Sequence, residues 1–319
     1  MVRLADRWTQ FWGSVARGRC GLPDRSWQYV GMSDELAGRR VVLTGSDGRI
    51  GSAVGVHLEQ QGATVVGVSV PDLDTKDAPA MDAVMEGADF LVHLAAIPAP
   101  HLAPWPEVFT DNVVSTFNVL TAAGRHGVRR AVIASSINAS GIPMNSHDVL
   151  PAYFPFDERL PADIDDPYSL SKSVDEQTAR MVWRHWGTSV VAIRFPLTAE
   201  HDDLVEYSRD ATENLGDNVR TGWTYLDVRD AARVVELALT RPIRDVQTIF
   251  VSADETLVPY ATEDLLDRYA PGVLRLTSFV GRQVPADLTR ARTVLGFRAQ
   301  HTLDIAERPL SPESVPAEP

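Results

Sequence analysis

A glycine-rich turn between a short strand and a helix constrains the fold of this chain more than any other segment. Residues 40–44 form an apolar run of β type, and Gly45, Gly48 and Gly51 follow in the spacing Gly-x-x-Gly-x-x-Gly. A helical pattern then runs from about residue 52 to residue 61. The first glycine permits a tight turn, the second lets backbone approach a pyrophosphate, and the third lets the helix pack close to the strand. The segment predicts a phosphate cradle at a helix N-terminus in an α/β fold.

Tyr168 and Lys172 stand four residues apart in a stretch that reads as helix through about residue 187. Residues at this spacing share one helical face, so the phenol and the ammonium point the same way. A nearby ammonium lowers the pKa of a phenol from about 10, which makes the phenol a useful general acid or base. The same spacing also occurs on ordinary solvated helices, so the pair alone does not indicate a site.

Residues 131–136 read as a buried strand that ends in Ser135 and Ser136. A hydroxyl at the carboxyl end of a parallel strand lies where such sheets place their ligands. A serine at this position more often caps a turn. The glycine turn, the serine and the Tyr168–Lys172 pair nevertheless occur in one chain and in this order, and chance explains that combination poorly.

With these residues the chain resembles the extended short-chain dehydrogenase/reductase family, which includes nucleotide-sugar epimerases and uronate dehydrogenase. The resemblance covers roughly residues 38–300. The matching segments are residues 44–51 and 92–96, Asn112, Ser135 and Ser136 with Gly141, residues 168–172 and, more weakly, residues 225–232, Ala291, Arg292 and residues 295–297. It implies an α/β fold, with a Rossmann-type doubly wound parallel sheet and a smaller C-terminal substrate lobe. One fold carries many activities, so the resemblance does not identify the substrate.

The resemblance implies a domain plan. It consists of an aromatic-rich extension (1–37), a dinucleotide-binding core (38–197, joined again by 221–252), a substrate lobe (198–220 and 253–308) and a disordered tail (309–319). Leu4, Trp8, Phe11, Trp12 and Val15 lie at helical spacing in the extension. This pattern favours a helix that docks on the body of the protein, and a subunit contact is the alternative.

The resemblance also implies roles for individual residues. Tyr168 exchanges the proton, Lys172 supports it and holds the ribose, Ser136 hydrogen-bonds the same substrate oxygen, and Asn112 supports the proton relay behind the lysine. The implied cofactor contacts are Gly45, Asp47, Gly48, Arg49, Ile50, Gly51, Ser69, Asp72, Leu73, Leu94, Ala95, Ala96, Asn112, Tyr168, Lys172, Phe195, Pro196 and Leu197. The candidate substrate contacts are Pro98, Ser136, Ile137, Asn138, Arg194 and Arg229, with Arg220 as a further candidate for an anion. No metal site is predicted.

The cofactor is expected to be NAD or NADP. The residue at the end of the second strand normally holds the ribose through a carboxylate, but Ser69 stands there and no arginine follows it. Asp72 and Leu73 match the family's step beside the adenine if the segment between the second and third strands is shortened. Arg49 is a candidate for contact with a pyrophosphate or a 2′-phosphate, so the choice of dinucleotide stays open at this stage.

The residues favour a reversible alcohol–carbonyl oxidoreduction on a polar small molecule. The principal alternative is a nucleotide-sugar epimerase that retains NAD, and a second is a non-catalytic NAD(P)-binding protein. Dehydratases of the family usually carry an Asp-Glu pair after the serine, whereas this chain has Ile137 and Asn138. The intact serine, tyrosine and lysine argue against a pure binding protein.

Composition excludes several other classes. A net charge of −13 and no long basic run make a nucleic-acid partner unexpected. No apolar run is long enough to cross a membrane. Cys20 is the single cysteine, which is consistent with a reducing cytoplasm.

A homodimer is expected, because the helices near 107–126 and 168–187 carry apolar faces that pair across a two-fold axis in the family.

Overall fold

The structure is a computed structural model, and it describes residues 35–311. Its centre is a six-stranded sheet in the order β2-β1-β3-β4-β6-β9, with every neighbouring pair parallel. The strands are β1 (Arg40–Thr44), β2 (Thr64–Val68), β3 (Phe90–His93), β4 (Arg130–Ser136), β5 (Tyr153–Phe154), β6 (Ser189–Phe195), β7 (Leu197–Ala199), β8 (Tyr225–Asp227), β9 (Val246–Phe250) and β10 (Leu274–Arg275). The predicted Rossmann-type doubly wound sheet is confirmed.

Helices cover both faces of the sheet. They are α1 (Arg49–Gln60), α2 (Ala78–Met85), α3 (Trp105–Arg125), α4 (Pro167–Trp186), α5 (His201–Glu213), α6 (Val228–Thr240) and α7 (Thr262–Tyr269). Short helical turns add Ile137–Ser140, Leu215–Thr221 and Ala291–Leu295. One apolar cluster joins α1 and α6 to the sheet, and a second joins α2, α3 and α4 to its other face. The central strands are therefore buried on both sides, as expected of a parallel sheet.

The stretch between β2 and β3 is short and contains α2 but no strand. As a result β2 is an edge strand of the sheet within residues 35–311. The predicted shortening of this segment is present. Leu73 packs against the cluster that contains Val68, while Asp72 is exposed.

A third apolar cluster lies beyond the carboxyl ends of the strands. It combines side chains from β5, α5, β8 and α7 with the chain up to Leu303, and the fully buried Trp223 is its largest member. The indole nitrogen of Trp223 donates to the carbonyl of Leu215 at 3.0 Å. This cluster supports the part of the protein that faces the carboxyl edge of the sheet.

Two of the sequence predictions lie wholly or mostly outside the described residues. These are the aromatic helix of the N-terminal extension and the tail beyond residue 311. The end of the predicted extension is described, and there Leu36 is buried in the same cluster as Val41. Leu36 therefore belongs to the core. The amide of Gly38 is also hydrogen-bonded to the carbonyl of Gly62 at 2.8 Å.

Candidate functional site

The glycine turn leads from β1 into α1 and is packed so tightly that side chains do not fit. Gly45 has a φ of +70°, and a Cβ there would lie 2.7 Å from the backbone nitrogen of Ala95. A Cβ on Gly51 would lie 2.0 Å from the carbonyl oxygen of Gly45. Contacts this short do not occur between real atoms, so both positions require glycine. The turn is thereby held against the segment that follows β3.

The first turn of α1 is suited to an anion. The helix begins at Arg49, its N-cap Gly48 supplies no side-chain hydrogen bond, and no acidic residue lies in its first turn. The leading N–H groups of a helix have no intrahelical partner and attract phosphate. The turn and the helix start therefore fit the pyrophosphate of a dinucleotide.

Ser69 holds the glycine turn from the end of β2. Its Oγ accepts a hydrogen bond from the backbone nitrogen of Asp47 at 3.1 Å and lies 3.2 Å from the Oγ of Ser46. An uncharged hydroxyl thus stands at the position where the family usually has a carboxylate for the ribose. The side chain at position 69 of the predicted cofactor surface is therefore uncharged.

The side chains of two arginines among the predicted contacts are paired with acidic residues outside the glycine turn. Arg49 pairs with Glu200 at 3.2 Å and with Asp203 at 3.4 Å, and Arg229 binds both carboxylate oxygens of Asp227 at 2.8 and 2.6 Å. Both arginines line a separate surface cavity of about 530 Å³. In this arrangement Arg49 and Arg229 are paired with acidic neighbours, and contact of Arg49 with phosphate and of Arg229 with substrate stay predictions.

Tyr168 lies in the first turn of α4. Asp166 caps this helix by accepting from the backbone nitrogen of Ser169 at 2.9 Å, and Pro167 occupies the first helical position. Tyr168 is 7% exposed, and the ammonium of Lys172 lies 5.8 Å from the centre of its ring. The helix therefore presents both groups on one face, as the spacing predicts.

Lys172 has a buried carboxylate beside it that the sequence analysis missed. Its Nζ donates to the carbonyl of Ala134 at 3.0 Å and lies 3.3 Å from Oδ2 of Asp175. Burial raises the pKa of the Asp175 carboxyl, and the charge of Lys172 opposes that shift. The signal was readable, since Asp175 follows Lys172 by three residues on a helix. The pair fixes the ammonium between β4 and α4.

Ser136 is prepared to donate a hydrogen bond. Its Oγ accepts from the backbone nitrogen and from Nδ2 of Asn138, both at 3.1 Å. No acceptor for the hydroxyl proton of Ser136 lies within residues 35–311. Oδ1 of Asn138 is buried and likewise has no partner among the described residues. The hydroxyl of Ser136 is thus free to donate to a molecule bound in the site.

The side chain of Asn112 is hydrogen-bonded to the backbone of Ile97 and has no bond to Lys172. Its Oδ1 accepts from the nitrogen of Ile97 at 2.7 Å, and its Nδ2 donates to the carbonyl of Ile97 and to Oγ of Ser171, each at 3.1 Å. None of these bonds reaches the lysine, because both donors are already used. The side chain of Asn112 thus joins α3 to α4 and to the segment after β3, and its support of the relay stays a prediction.

A charged clamp joins the serine strand to the tyrosine helix. Arg194 binds Glu176 through two hydrogen bonds of 2.9 and 3.0 Å, and Ser135 donates to the same carboxylate at 2.7 Å. Arg194 also donates to the carbonyl of Glu158 at 3.3 Å. The side chains of Arg194 and Glu176 are 13% and 5% exposed. The guanidinium of Arg194 is therefore occupied by Glu176 and by the carbonyl of Glu158, and its contact with substrate stays a prediction.

His93 is a packed interior histidine, 4% exposed. Its Nδ1 lies 2.7 Å from Oγ1 of Thr44 and its Nε2 lies 3.1 Å from Oγ1 of Thr116. Burial, with a smaller contribution from the charge of Lys172, lowers its pKa to about 3. The ring is therefore neutral in the folded protein at every pH near neutrality.

We expect His93 to make the folded protein sensitive to acid. Between pH 6.5 and 3 the unfolded chain binds a proton at this ring that the folded chain does not, so stability is lost as the pH falls. At pH 5 the loss from this residue alone amounts to about 2 kcal/mol. Urea unfolding from pH 7.5 to pH 4.5 measures it, and His93→Gln is expected to lose less stability over the same range. An unchanged pH dependence in the variant would contradict this assignment.

The glycine turn, the serine strand and the tyrosine helix meet at one cavity of about 450 Å³ at the carboxyl ends of the strands. Predicted residues that line it are Ile50, Leu94, Ala96, Pro98, Ser136, Ile137, Asn138, Tyr168, Lys172, Phe195, Pro196 and Leu197. Predicted residues that do not line it are Gly45, Asp47, Gly48, Arg49, Gly51, Ser69, Asp72, Leu73, Ala95, Asn112, Arg194 and Arg229. Several of the latter shape the turn next to it.

Six lining residues were not predicted. They are Ala134, Ser135, Pro143, Met144, Thr198 and Thr221. Pro143 and Met144 belong to the long segment between Ser136 and Tyr168. Thr221 had no local signal, because it reaches the cavity only through the packing of the third apolar cluster.

Two features are absent from residues 35–311. No group of three or more histidine, cysteine, aspartate or glutamate side chains is arranged to hold a metal ion. No helix in the same range has the length and apolar character required to cross a bilayer.

Comparisons with known proteins agree with this geometry. A profile of the NAD dependent epimerase/dehydratase family matches residues 41–252. A uronate dehydrogenase of Pseudomonas syringae pv. tomato is 29% identical over 190 residues, which cover 60% of this chain and 57% of that protein. An L-arabinose 1-dehydrogenase (NAD(P)(+)) of Haloferax volcanii is 28% identical over 207 residues, covering 58% of this chain and 76% of that protein.

A solved structure also resembles the chain. It is a short-chain dehydrogenase/reductase superfamily protein from Agrobacterium tumefaciens with bound NAD, and it is 25% identical with a TM-score of 0.61. The match covers 83% of this chain and 93% of that one.

Proposed function

Because the chain belongs to the NAD-dependent epimerase/dehydratase family, we propose that it is an NAD-dependent dehydrogenase that interconverts an alcohol and a carbonyl on a sugar-like molecule. The observation that carries this proposal is the meeting of Ser136, Tyr168 and Lys172 at one cavity beside the glycine turn. Curated relatives that oxidise sugars and sugar acids support it.

Each side chain has a task that its surroundings allow. Tyr168 accepts the hydroxyl proton of the substrate, and Lys172 lies on the same helical face with its ammonium 5.8 Å from the centre of the Tyr168 ring. Ser136 donates its free proton to the same oxygen as negative charge develops there. NAD held beside the glycine turn would supply the acceptor for the hydride of the carbon. The alcohol thus loses a proton and a hydride and becomes a carbonyl.

NAD is proposed over NADP. A 2′-phosphate requires a cation near the end of β2, and Ser69 there is uncharged. Arg49, the nearest arginine in the turn, is held by Glu200 and Asp203 on the other side of the helix start. A comparison of the dissociation constants of the two oxidised dinucleotides tests this choice.

Net turnover separates a dehydrogenase from an epimerase. With substrate and excess NAD, NADH is expected to accumulate in equal amount to the carbonyl product, as read by nicotinamide absorbance and by chromatography. Retained NAD that survives gel filtration, with a nucleotide sugar interconverted and no NADH formed, would reject the dehydrogenase in favour of the epimerase. Binding of NAD without turnover of any sugar would instead identify a binding protein.

We also propose a homodimer formed through α3 and α4. Val114 and Phe117 on α3 and Leu170 and Trp183 on α4 are exposed apolar side chains on two helices that pack together. Exposed apolar surface of this kind is typical of a subunit interface. The two helices of a second copy would complete a four-helix bundle.

We expect Phe117→Asp to shift the protein from dimer to monomer in sedimentation velocity. Phe117 is 49% exposed, so the charge costs little in a monomer but lies unpaired within a dimer interface. Val280→Asp is the matched control, since Val280 is 83% exposed and lies outside α3 and α4. A wild-type protein that sediments as a monomer at micromolar concentration would remove the proposal.

A further inference from the structure

The wall of the main cavity carries almost no charge. Within residues 35–311, Tyr168 and Lys172 are the only ionisable side chains that line it. The ammonium of Lys172 already lies 3.3 Å from the carboxylate of Asp175, and the two side chains are 5% and 2% exposed. The one cation that lines the cavity is therefore held by a buried carboxyl group, and within residues 35–311 no second cation lines the cavity.

The arginine closest to the serine strand is not free to turn into the cavity. Arg194 binds both oxygens of Glu176 and also donates to the carbonyl of Glu158. Rotation toward a substrate would leave the buried Glu176 carboxylate without its cation, which is strongly unfavourable. Arg194 is thus part of the scaffold.

Arg220 is committed in the same way. Its two terminal nitrogens donate to the carbonyls of Asn145 and His147 at 2.6 and 2.7 Å. Arg194 and Arg220 meet at one void, but it measures only about 10 Å³. A void of this size holds about one water molecule. A carboxylate or a phosphate does not fit between these two arginines.

The uncharged groups of the wall favour a ligand that donates hydrogen bonds. The hydroxyls of Thr198 and Thr221 already donate to the carbonyls of Pro196 and Asn218, at 3.0 and 2.9 Å. These two hydroxyls can therefore only accept from a ligand. A sugar hydroxyl satisfies such acceptors, whereas a carboxylate or a phosphate brings further acceptors and an unpaired charge.

We propose that the substrate is an uncharged polyhydroxy compound, such as a neutral aldose, and that sugar acids and sugar phosphates are discriminated against. The hydroxyls of Thr198 and Thr221 accept from substrate hydroxyls, and Pro98, Ile137, Pro143 and Met144 cover the C–H faces of the ring. This inference rests on the proposed dehydrogenase function. It assigns an uncharged substrate class, whereas the name of the similar uronate dehydrogenase indicates a sugar acid.

Matched sugars test the inference. The full chain is assayed with NAD and with galactose, galacturonate and galactose 6-phosphate, and then with the corresponding glucose and arabinose compounds. We expect kcat/KM for the best neutral aldose to exceed that of its acid or phosphate by at least ~10-fold. Preference for an acid or a phosphate would overturn the inference and leave the dehydrogenase intact. Absence of NADH formation with every sugar would overturn the dehydrogenase and the inference with it.

A new cation in the wall should reverse the preference. Met144→Arg places a guanidinium on the loop that faces the substrate, and Met144→Gln is the uncharged control of similar size. The arginine variant is expected to raise the ratio of kcat/KM for galacturonate over galactose by about 10-fold or more relative to the control. Thr221→Arg is a second variant on a different element. An unchanged ratio in folded forms of both arginine variants would overturn the inference.

Discussion

Replacing Tyr168 with phenylalanine is expected to lower kcat by about 10²–10⁴-fold, the range that a positioned general acid or base typically contributes. The ring is 7% exposed and packed at the start of α4, so the variant keeps its contacts and loses only the hydroxyl. NAD affinity, measured by calorimetry, should change little. Lys172 keeps its bonds to Ala134 and Asp175, which do not involve the phenol.

Tyr207→Phe provides the control for this prediction. Tyr207 is a half-exposed residue of α5 that does not line the main cavity. Its variant should have the kcat of the wild-type protein. A Tyr168→Phe enzyme with near-native kcat on the physiological substrate would show that another group carries the proton.

The second large effect is expected in the glycine turn, where Gly48 and Gly51 should behave differently. A Cβ on Gly51 would lie 2.0 Å from the carbonyl oxygen of Gly45, so Gly51→Ala should disrupt the turn itself and lower the unfolding midpoint. A Cβ on Gly48 has a single close contact, 3.2 Å from the same oxygen. Gly48→Ala should therefore fold, yet raise the dissociation constant of NAD by roughly tenfold or more, because the methyl group occupies the approach of the pyrophosphate.

Gly55→Ala on the same helix is the control for both variants. A Cβ there meets only a leucine side chain at 3.5 Å, which is ordinary contact. Alanine also favours the helix by about 0.5–1 kcal/mol, so this variant should be as stable as the wild-type protein or slightly more so. Normal NAD binding by a folded Gly48→Ala protein would remove the turn from the proposed cofactor site.

Much of the fold was predictable because its signals are local. The strands alternate with helices along the chain, and each central strand is a short apolar run next to a turn. The structure moves most boundaries by only one to three residues; α1 begins at Arg49 instead of near residue 52. The register of the sheet and the position of β2 at its edge depend on distant pairings, which a single stretch of sequence does not encode.

The candidate site was predictable only where a motif carried it. Tyr168, Lys172 and Ser136 stand in recognisable spacing, and the structure brings them to one cavity. Arg194 and Arg229 were expected to bind an anion because of their charge and chain position. Their actual partners, Glu176 and Asp227, are separated from them by 18 residues and two residues. Charge alone could not reveal whether an arginine serves a ligand or a neighbouring carboxylate.

The clamp between Arg194 and Glu176 also limits how this protein can diverge. Losing either residue alone strands a buried charge, at a cost of about 3–5 kcal/mol, so the two can be replaced only together. Loss of Ser135, which donates to the same carboxylate, would remove one hydrogen bond and leave the ion pair in place. We therefore expect changes in substrate preference at lining positions that have no buried charged partner, such as Met144 and Thr221. Families of this architecture can then acquire new substrates by changing the loop wall while the proton-transfer residues and their support stay fixed.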